Sequence, residues 1–325
     1  RGPVGSRVVL DVAPPEGDPA EASDEVGRVA ASRSVSLERA TLRSETVCGD
    51  RRRADGSWDW FVEGEEGVAL VRVSRFLPHT PADLEAALAE IAAADRPSGL
   101  ILDLRGNPGG QLDAAVEVCD RFLETGVIVS LRRRPGAGKR SVPSTTAQLD
   151  VRRATPGAIL SGVPMVVLVD GLTASVAEVV GACLQDHGRA VVVGSRSAGR
   201  GTVQTAVPLS DGRHALRLTT AEYLRPNLAS IHRRPNDAGS QDWGVVPDRG
   251  YELDPTGSTL DMMREWRRHR DAVPRHPAVP VFQVNAVAEA RAEISSAGLP
   301  RHVDPVLGRA LTVLGARRVL AGAGE

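Results

Sequence analysis

Ser175 opens the run Ser-Val-Ala-Glu (175–178), where its position gives it chemistry to do. An apolar strand, Val163–Val169, ends just before it, and an amphipathic helix follows over 173–186. Val176, Val179, Val180, Cys183 and Leu184 form the apolar face of that helix. A serine at a helix start lies at the positive end of the macrodipole, beside amides with no intrahelical acceptor. Such a place suits a nucleophile whose attack creates an oxyanion. The same four residues also spell a capping box, in which serine and glutamate serve only the helix. Two glycine loops, 106–110 and 199–201, tip the choice toward chemistry. Both follow strands expected in one sheet, and α/β sites are built at the carboxyl ends of parallel strands. Gly109 and Gly110 leave their amides unobstructed and could join the Val176 amide as an oxyanion hole, or form no more than a tight turn.

A serine nucleophile needs a proton acceptor. The loop Ser-Ala-Gly-Arg-Gly-Thr-Val-Gln (197–204) offers Arg200 in the position between Ser175 and Gln204 where that acceptor is wanted. A guanidinium is protonated at any workable pH and has no lone pair to give. Lys139 is the only lysine among the 40 basic side chains, so arginine has replaced lysine across the whole sequence. That skew makes Arg200 less surprising without making it equivalent to lysine.

These residues need a frame to hold them. Strand-like and helical stretches alternate from Val68 onward: strand Val68–Phe76, a helix opened by Thr80-Pro81 with Leu84, Leu88 and Ile91 on its buried stripe, and strand Leu100–Leu104. Gly106-Asn107-Pro108-Gly109-Gly110 turns that strand into a helix carrying Leu112, Val116 and Cys119. Strand Val127–Leu131 and a loop through Pro135–Ser161 lead to Val163–Val169, the Ser175 helix and strand Val191–Gly194. Buried apolar strands alternating with amphipathic helices predict an α/β sheet with parallel pairs. Thr202–Leu209 and His214–Tyr223 flank Ser-Asp-Gly-Arg, a hairpin signal. Residues beyond Pro255 are expected to be helical, ending on a stripe of Leu307, Leu311 and Leu314. Trp58, Trp60 and Phe61 are expected to pack at a domain junction.

Composition excludes several functions. The 325 residues carry a net charge of −1, which gives no footing for nucleic acid or an anionic membrane. The clusters Arg51–Arg53 and Arg132–Arg134 are too short to alter that. Cys48, Cys119 and Cys183 lack the spacing of a disulfide framework or a metal site, and no apolar run reaches 18 residues. With Arg1 first and no initiator Met, an upstream segment is expected to be missing.

Several of these stretches together resemble the carboxyl-terminal processing (tail-specific) peptidases, the S41 serine peptidase family. Leu100–Arg105 running into Asn107-Pro108-Gly109-Gly110 matches the family's strand-turn. Leu184–Ala190, Pro208–Gly212 and Trp243–Asp248 match as well, and the similarity covers roughly 67–255. It implies an α/β core of ClpP/crotonase-like βα repeats over 67–255. Residues 15–66 would be a linker and the first part of the core, and 256–325 a helical C-terminal region. Residues 1–14 resemble the end of a peptide-binding PDZ domain.

The resemblance also implies a function: a serine endopeptidase cutting proteins near their C-termini through an acyl-enzyme. Ser175 corresponds to the nucleophile, Gln204 to the residue that positions the base, and Arg200, 25 residues after the serine, to the lysine base. Gly109, Gly110 and Val176 correspond to the oxyanion hole. The phenylalanine common two places before that lysine is Ala198 here, and His187 belongs to the family framework. No cofactor or metal is implied. The partner is a protein or peptide, a homo-oligomer is possible, and family members act in the periplasm or cell envelope. The alternative is an inactive homologue that binds peptides or another ligand, with Arg200 pairing a carboxylate.

Overall fold

The computed structural model describes residues 2–12, 33–94, 97–133, 149–234, 243–273 and 304–322. The chain divides into two units, Arg1–Glu45 and Thr46–Glu325. In the first, β1 (Arg7–Val12) pairs antiparallel with β2 (Arg33–Glu38), Arg7 opposite Glu38 and Val12 opposite Arg33.

The second unit is organised by a five-stranded sheet. Its order is β11 (Val191–Gly194), β10 (Met165–Val169), β7 (Gly99–Asp103), β6 (Val68–Val73) and β3 (Val47–Cys48), all parallel except the edge strand β3. Every residue of β7 and β10 is buried, which is why β10 reads as an unbroken apolar run and β7 as one broken only by Asp103. One sheet face is covered by α1 (Thr80–Ala93), α2 (Leu112–Asp120) and α3 (Val176–Asp186), whose buried stripes form the larger core. The other carries Leu70, Ile101, Val166 and Leu168, packed against Val306, Ala310 and Leu314 of α5 (Pro305–Gly322).

Helix α5 is fastened at its start. Asp304 caps it by accepting from the amides of Val306 and Leu307, and also receives Arg105 across 2.9 Å. Arg105 in turn pairs with Asp103 at 2.7 Å. Burial works against ionisation of Asp103, but the cations of Arg105 and Arg72 prevail and hold its carboxyl below the usual range. Helix α4 (Gly257–Asp271) completes the helical part; residues 274–303 of the expected helical region lie outside the described residues.

Two expectations change. Strand β8 (Val127–Arg133) leaves the parallel series and enters a second, antiparallel sheet of order β12 (Thr202–Pro208), β13 (Ala215–Leu224), β8, β9 (Leu149–Arg153). Its first half is apolar and buried, but it ends in Arg132 and Arg133, which pair with Glu222 and Asp150; a central buried strand has no room for them. Strand β9 falls inside the stretch read as loop, where Leu-Asp-Val-Arg-Arg was too short and polar to stand out. The tryptophans also pack differently. Trp60 lies in the larger core and donates to Glu90 on α1 at 2.6 Å. Trp58, on β5 (Trp58–Asp59, paired with β4, Arg51–Arg52), is covered by the Arg52 guanidinium at 3.8 Å.

Candidate active site

Ser175 is the N-cap of α3, with φ 59 and ψ −125. A non-glycine residue with positive φ holds a strained turn that costs about 1–3 kcal/mol unless its surroundings enforce it. Here the enforcement is visible. The Ser175 amide donates to Glu178 Oε2 at 2.8 Å, and the Glu178 and Val179 amides return to the Ser175 carbonyl. On the strand side, Asp170 Oδ1 accepts from the amides of Gly106, Leu172 and Thr173. The Thr173 hydroxyl donates to the Leu104 carbonyl at 2.9 Å, tying the turn after β10 to the end of β7. The side chain of Ser175 is thereby set at a sharp strand-to-helix turn above the carboxyl ends of the parallel strands.

The Asn107–Gly110 loop lies directly against this turn. Asn107 is fully buried; its amide nitrogen donates to the Val73 carbonyl, its Oδ1 accepts from the Gly109 amide at 2.8 Å, and its carbonyl accepts from Ala174. Gly109 has φ +99, and a Cβ there would meet Ser175 Cβ at 2.9 Å and the Val176 amide at 3.2 Å. Gly110 has φ +151, and a Cβ there would overlap the Phe76 carbonyl at 2.0 Å. Only glycine allows the loop this close. Of the three amides expected to form an oxyanion hole, that of Gly109 is occupied by Asn107. Those of Gly110 and Val176 have no acceptor among the described residues.

Glu178 is the group that reading the sequence underrated. Its carboxylate is fully buried and accepts four hydrogen bonds, from the amides of Ser175 (2.8 Å), Gly199 (2.7 Å) and Arg200 (2.8 Å) and from the Ser197 hydroxyl (2.6 Å). The capping-box residue therefore also docks the 197–200 loop onto the head of α3. Burial pushes its pKa up, opposed by the four donors. The Ser-x-x-Glu spacing was visible in sequence, but a second loop folding onto the same carboxylate was not.

Tyr223, on β13, was also missed. It is buried, and burial raises its pKa, opposed by the nearby Ser175 hydroxyl. Nothing in Ala-Glu-Tyr-Leu marks it in advance.

The remaining expected residues are not all gathered at the serine. Arg200 is joined to the site through its backbone; its guanidinium is exposed and has no partner among the described residues. Gln204 donates to Thr219 Oγ1 at 2.6 Å and Thr202 Oγ1 at 3.2 Å. Thr202 pairs with Glu222 and Val203 with Ala221, so by alternation along β12 Gln204 shares a face with Thr202 and Glu222, opposite Ala221 and Tyr223; a bulge beyond Val203 then sets Thr219 opposite Gln204. It lines a cavity of about 590 Å³ with His232 and Arg234, and Ser175 is not part of that lining. His187, at the far end of α3, is bonded to the Val127 carbonyl.

A strained serine at a strand-to-helix turn, open amides beside it and a parallel sheet beneath it define an α/β protein with a hydrolase-type serine turn. The model of peptidase family S41 matches residues 67–249, and the chain belongs to that family. It is 36% identical over 262 residues to the carboxy-terminal-processing protease of Bartonella bacilliformis, covering 74% of this chain and 55% of that one. It is 31% identical over 202 residues to the carboxy-terminal processing protease CtpB of Bacillus subtilis, covering 62% and 37%. Its structure is similar to that of a photosystem II D1 C-terminal processing protease, with a TM-score of 0.50 and 27% identity over 83% of this chain and 61% of that one. The chain thus spans less than two thirds of the length of these relatives.

Proposed function

We propose that this chain is the core of a serine endopeptidase that cuts proteins near their C-termini, working slowly because Arg200 stands at the base position. The observation that carries this reading is the strained Ser175 turn, clamped by Glu178 with the Val176 and Gly110 amides left open. In the reaction, Ser175 Oγ forms a bond to the scissile carbonyl carbon and the carbonyl electrons move onto oxygen, facing those two amides. Collapse expels the amine, which takes up a proton, and water later releases the acyl group. The serine proton needs an acceptor, and a guanidinium offers none. General base catalysis contributes about 10²–10⁴-fold, so a site without its lysine is slow rather than dead. Gln204 would position a base only after turning from the face on which Thr219 holds it. The test is a fluorophosphonate probe. Labelling lost in Ser175→Ala supports the reading; no labelling, with peptide cleavage no faster than Ser175→Ala, sinks it.

One observation favours a second reading, a binding protein without turnover. The exposed Arg200 guanidinium, without a partner among the described residues, suits a peptide carboxylate. Peptide binding that survives Arg200→Ala unchanged would remove that role.

Relatives in bacteria and in chloroplasts support a place in the cell envelope for the whole protein, acting on protein substrates, with the end of a PDZ domain at residues 1–14 and self-association as further parts of the proposal. No helix among the described residues is long and apolar enough to cross a membrane.

A further inference from the structure

We propose that the cavity lined by Gln204 is a specificity site, taking a carboxylate of the peptide held at Ser175, either an acidic side chain or the chain terminus. The inference rests on the peptidase reading above and names the substrate feature that the protein would select. The register of the second sheet builds the site. Thr202 on β12 lies opposite Glu222 on β13, and Glu222 lies opposite Arg132 on β8, so three strands present these side chains on one face. Gln204 shares that face and is bonded to Thr219. Arg217, two residues before Thr219 and opposite Ala206, continues it.

Charge on this face is out of balance. Glu222 is the one carboxylate lining the cavity. It is shared by Arg132 and, at 3.2 Å, by Arg234, and it also accepts from the Ser230 hydroxyl. Burial works against its ionisation, but the Ser230 bond and the Arg132 cation prevail and hold its carboxyl below the usual range. One anion thus serves two guanidiniums, each with five donors to offer. Arg217 is exposed and has no partner among the described residues. Neutral donors point to the same ligand. Gln204 Nε2 donates to the Thr202 and Thr219 hydroxyls, and a hydroxyl that accepts keeps its own hydrogen to give. His232 Nδ1 is buried without a hydrogen-bond partner among the described residues. A carboxylate answers the surplus positive charge and the open donors together, whereas a neutral or cationic group leaves the charge unmet.

The cavity lies within reach of a peptide at the serine. The amides of Ser175 and Arg200 both donate to one oxygen, Glu178 Oε2, each at 2.8 Å. Thr202, the first lining residue on β12, comes two residues after Arg200. Since an extended chain covers at most about 3.6 Å per residue, the face begins within roughly three or four residues of peptide from Ser175. A volume of about 590 Å³ is ample for one side chain or a chain end.

The test is peptide binding by fluorescence anisotropy, on the full chain carrying Ser175→Ala so that no cleavage intervenes. The probes are fluorescein-labelled, alanine-rich decapeptides with a central Glu-Glu or Gln-Gln pair, each with a free or an amidated C-terminus. If the ligand is an acidic side chain, the Glu-Glu probes should bind about tenfold tighter than the Gln-Gln probes whatever their terminus. If it is the chain terminus, amidation should cost about tenfold instead. Either preference should shrink as salt rises toward about 1 M. It should also fall in Arg217→Glu, a reversal at an exposed position, and in Arg132→Gln. Equal binding of all the probes, or a preference unmoved by both substitutions, overturns the specificity site. Should Arg132→Gln fail to fold, Arg217→Glu still decides. A preference that follows these changes, while neither the parent nor Arg200→Lys takes up fluorophosphonate, supports the site and sinks the nucleophile reading alone.

Discussion

The turn that holds Ser175 and the strand that carries Gln204 are treated very differently by the same fold. Around Ser175, Asn107, Thr173 and Glu178 are buried, and each has its polar atoms bonded to a neighbouring loop. From Gln204 onward β12 is exposed, and Arg200 presents an exposed guanidinium without a partner among the described residues. Placing Ser175, the proposed nucleophile, is thus a property of the core. Position 200, the proposed base position, lies at the surface, where substitutions usually move stability by no more than about 0.5 kcal/mol. Folding therefore places little demand on which side chain stands at position 200. An arginine can appear there while the serine turn stays intact, which is the combination observed.

The sharpest way to break this contrast is Arg200→Lys. If the serine turn is complete and only the base is lacking, the variant should label with fluorophosphonate and cleave peptides about 10²–10⁴-fold faster than the parent. Unchanged rates would show that the exposed side has lost more than one group, with Gln204 on the wrong face as the first suspect. Gly110→Ala addresses the buried side. Its added Cβ would sit 2.0 Å from the Phe76 carbonyl at φ +151, so the 107–110 loop must move. A loss of about 3 kcal/mol in denaturant unfolding is expected, whereas Arg200→Ala should change stability by less than about 0.5 kcal/mol. Similar losses in the two variants would erase the distinction. Glu178→Gln comes next. In either orientation its NH₂ group faces two donors, and the Gly199, Arg200 or Ser175 amide loses its acceptor, at about 1–3 kcal/mol for a buried group. A chemical-denaturation midpoint equal to the parent's would show that the carboxylate is no clamp.

The sequence made one of these regions far more legible than the other. Val163–Val169, the helix behind Ser175 and the Asn-Pro-Gly-Gly turn carry strong local signals, because buried strands must be apolar and close loops must be glycine. The hairpin around Asp211-Gly212 was legible for the same local reason. Strand β8 was misplaced because the register of a strand depends on distant partners, here Glu222 and Asp150, which no local pattern reveals. Gln204 was recognisable as a motif residue, yet the face it occupies follows from the register of β12 on β13, with Thr202 opposite Glu222, which no local pattern reveals. The second role of Glu178 depends wholly on loops that meet in space. Spacing can nominate a nucleophile, but contacts across 22 residues, from Glu178 to the Arg200 amide, are settled only by packing.

The smallest effect isolates the clamp itself. Burial raises the pKa of Glu178 in the folded protein, while the unfolded chain keeps the ordinary carboxylate value. A carboxyl whose folded pKa is the higher of the two binds more protons when folded, so its contribution is fully present below the unfolded value and is lost as pH rises through the folded one. Asp103 slopes the other way, since Arg105 and Arg72 hold its folded pKa down and its contribution is lost as pH falls. Total stability therefore mixes both signs. The difference between parent and Glu178→Gln removes Asp103 and every other common group. That difference should shift against the parent as pH rises from the ordinary carboxylate range to the raised Glu178 value, and then become flat. A difference curve flat throughout, or tilted in the parent's favour, would mean that the four donors outweigh burial and that Glu178 is ionised as readily in the clamp as in water.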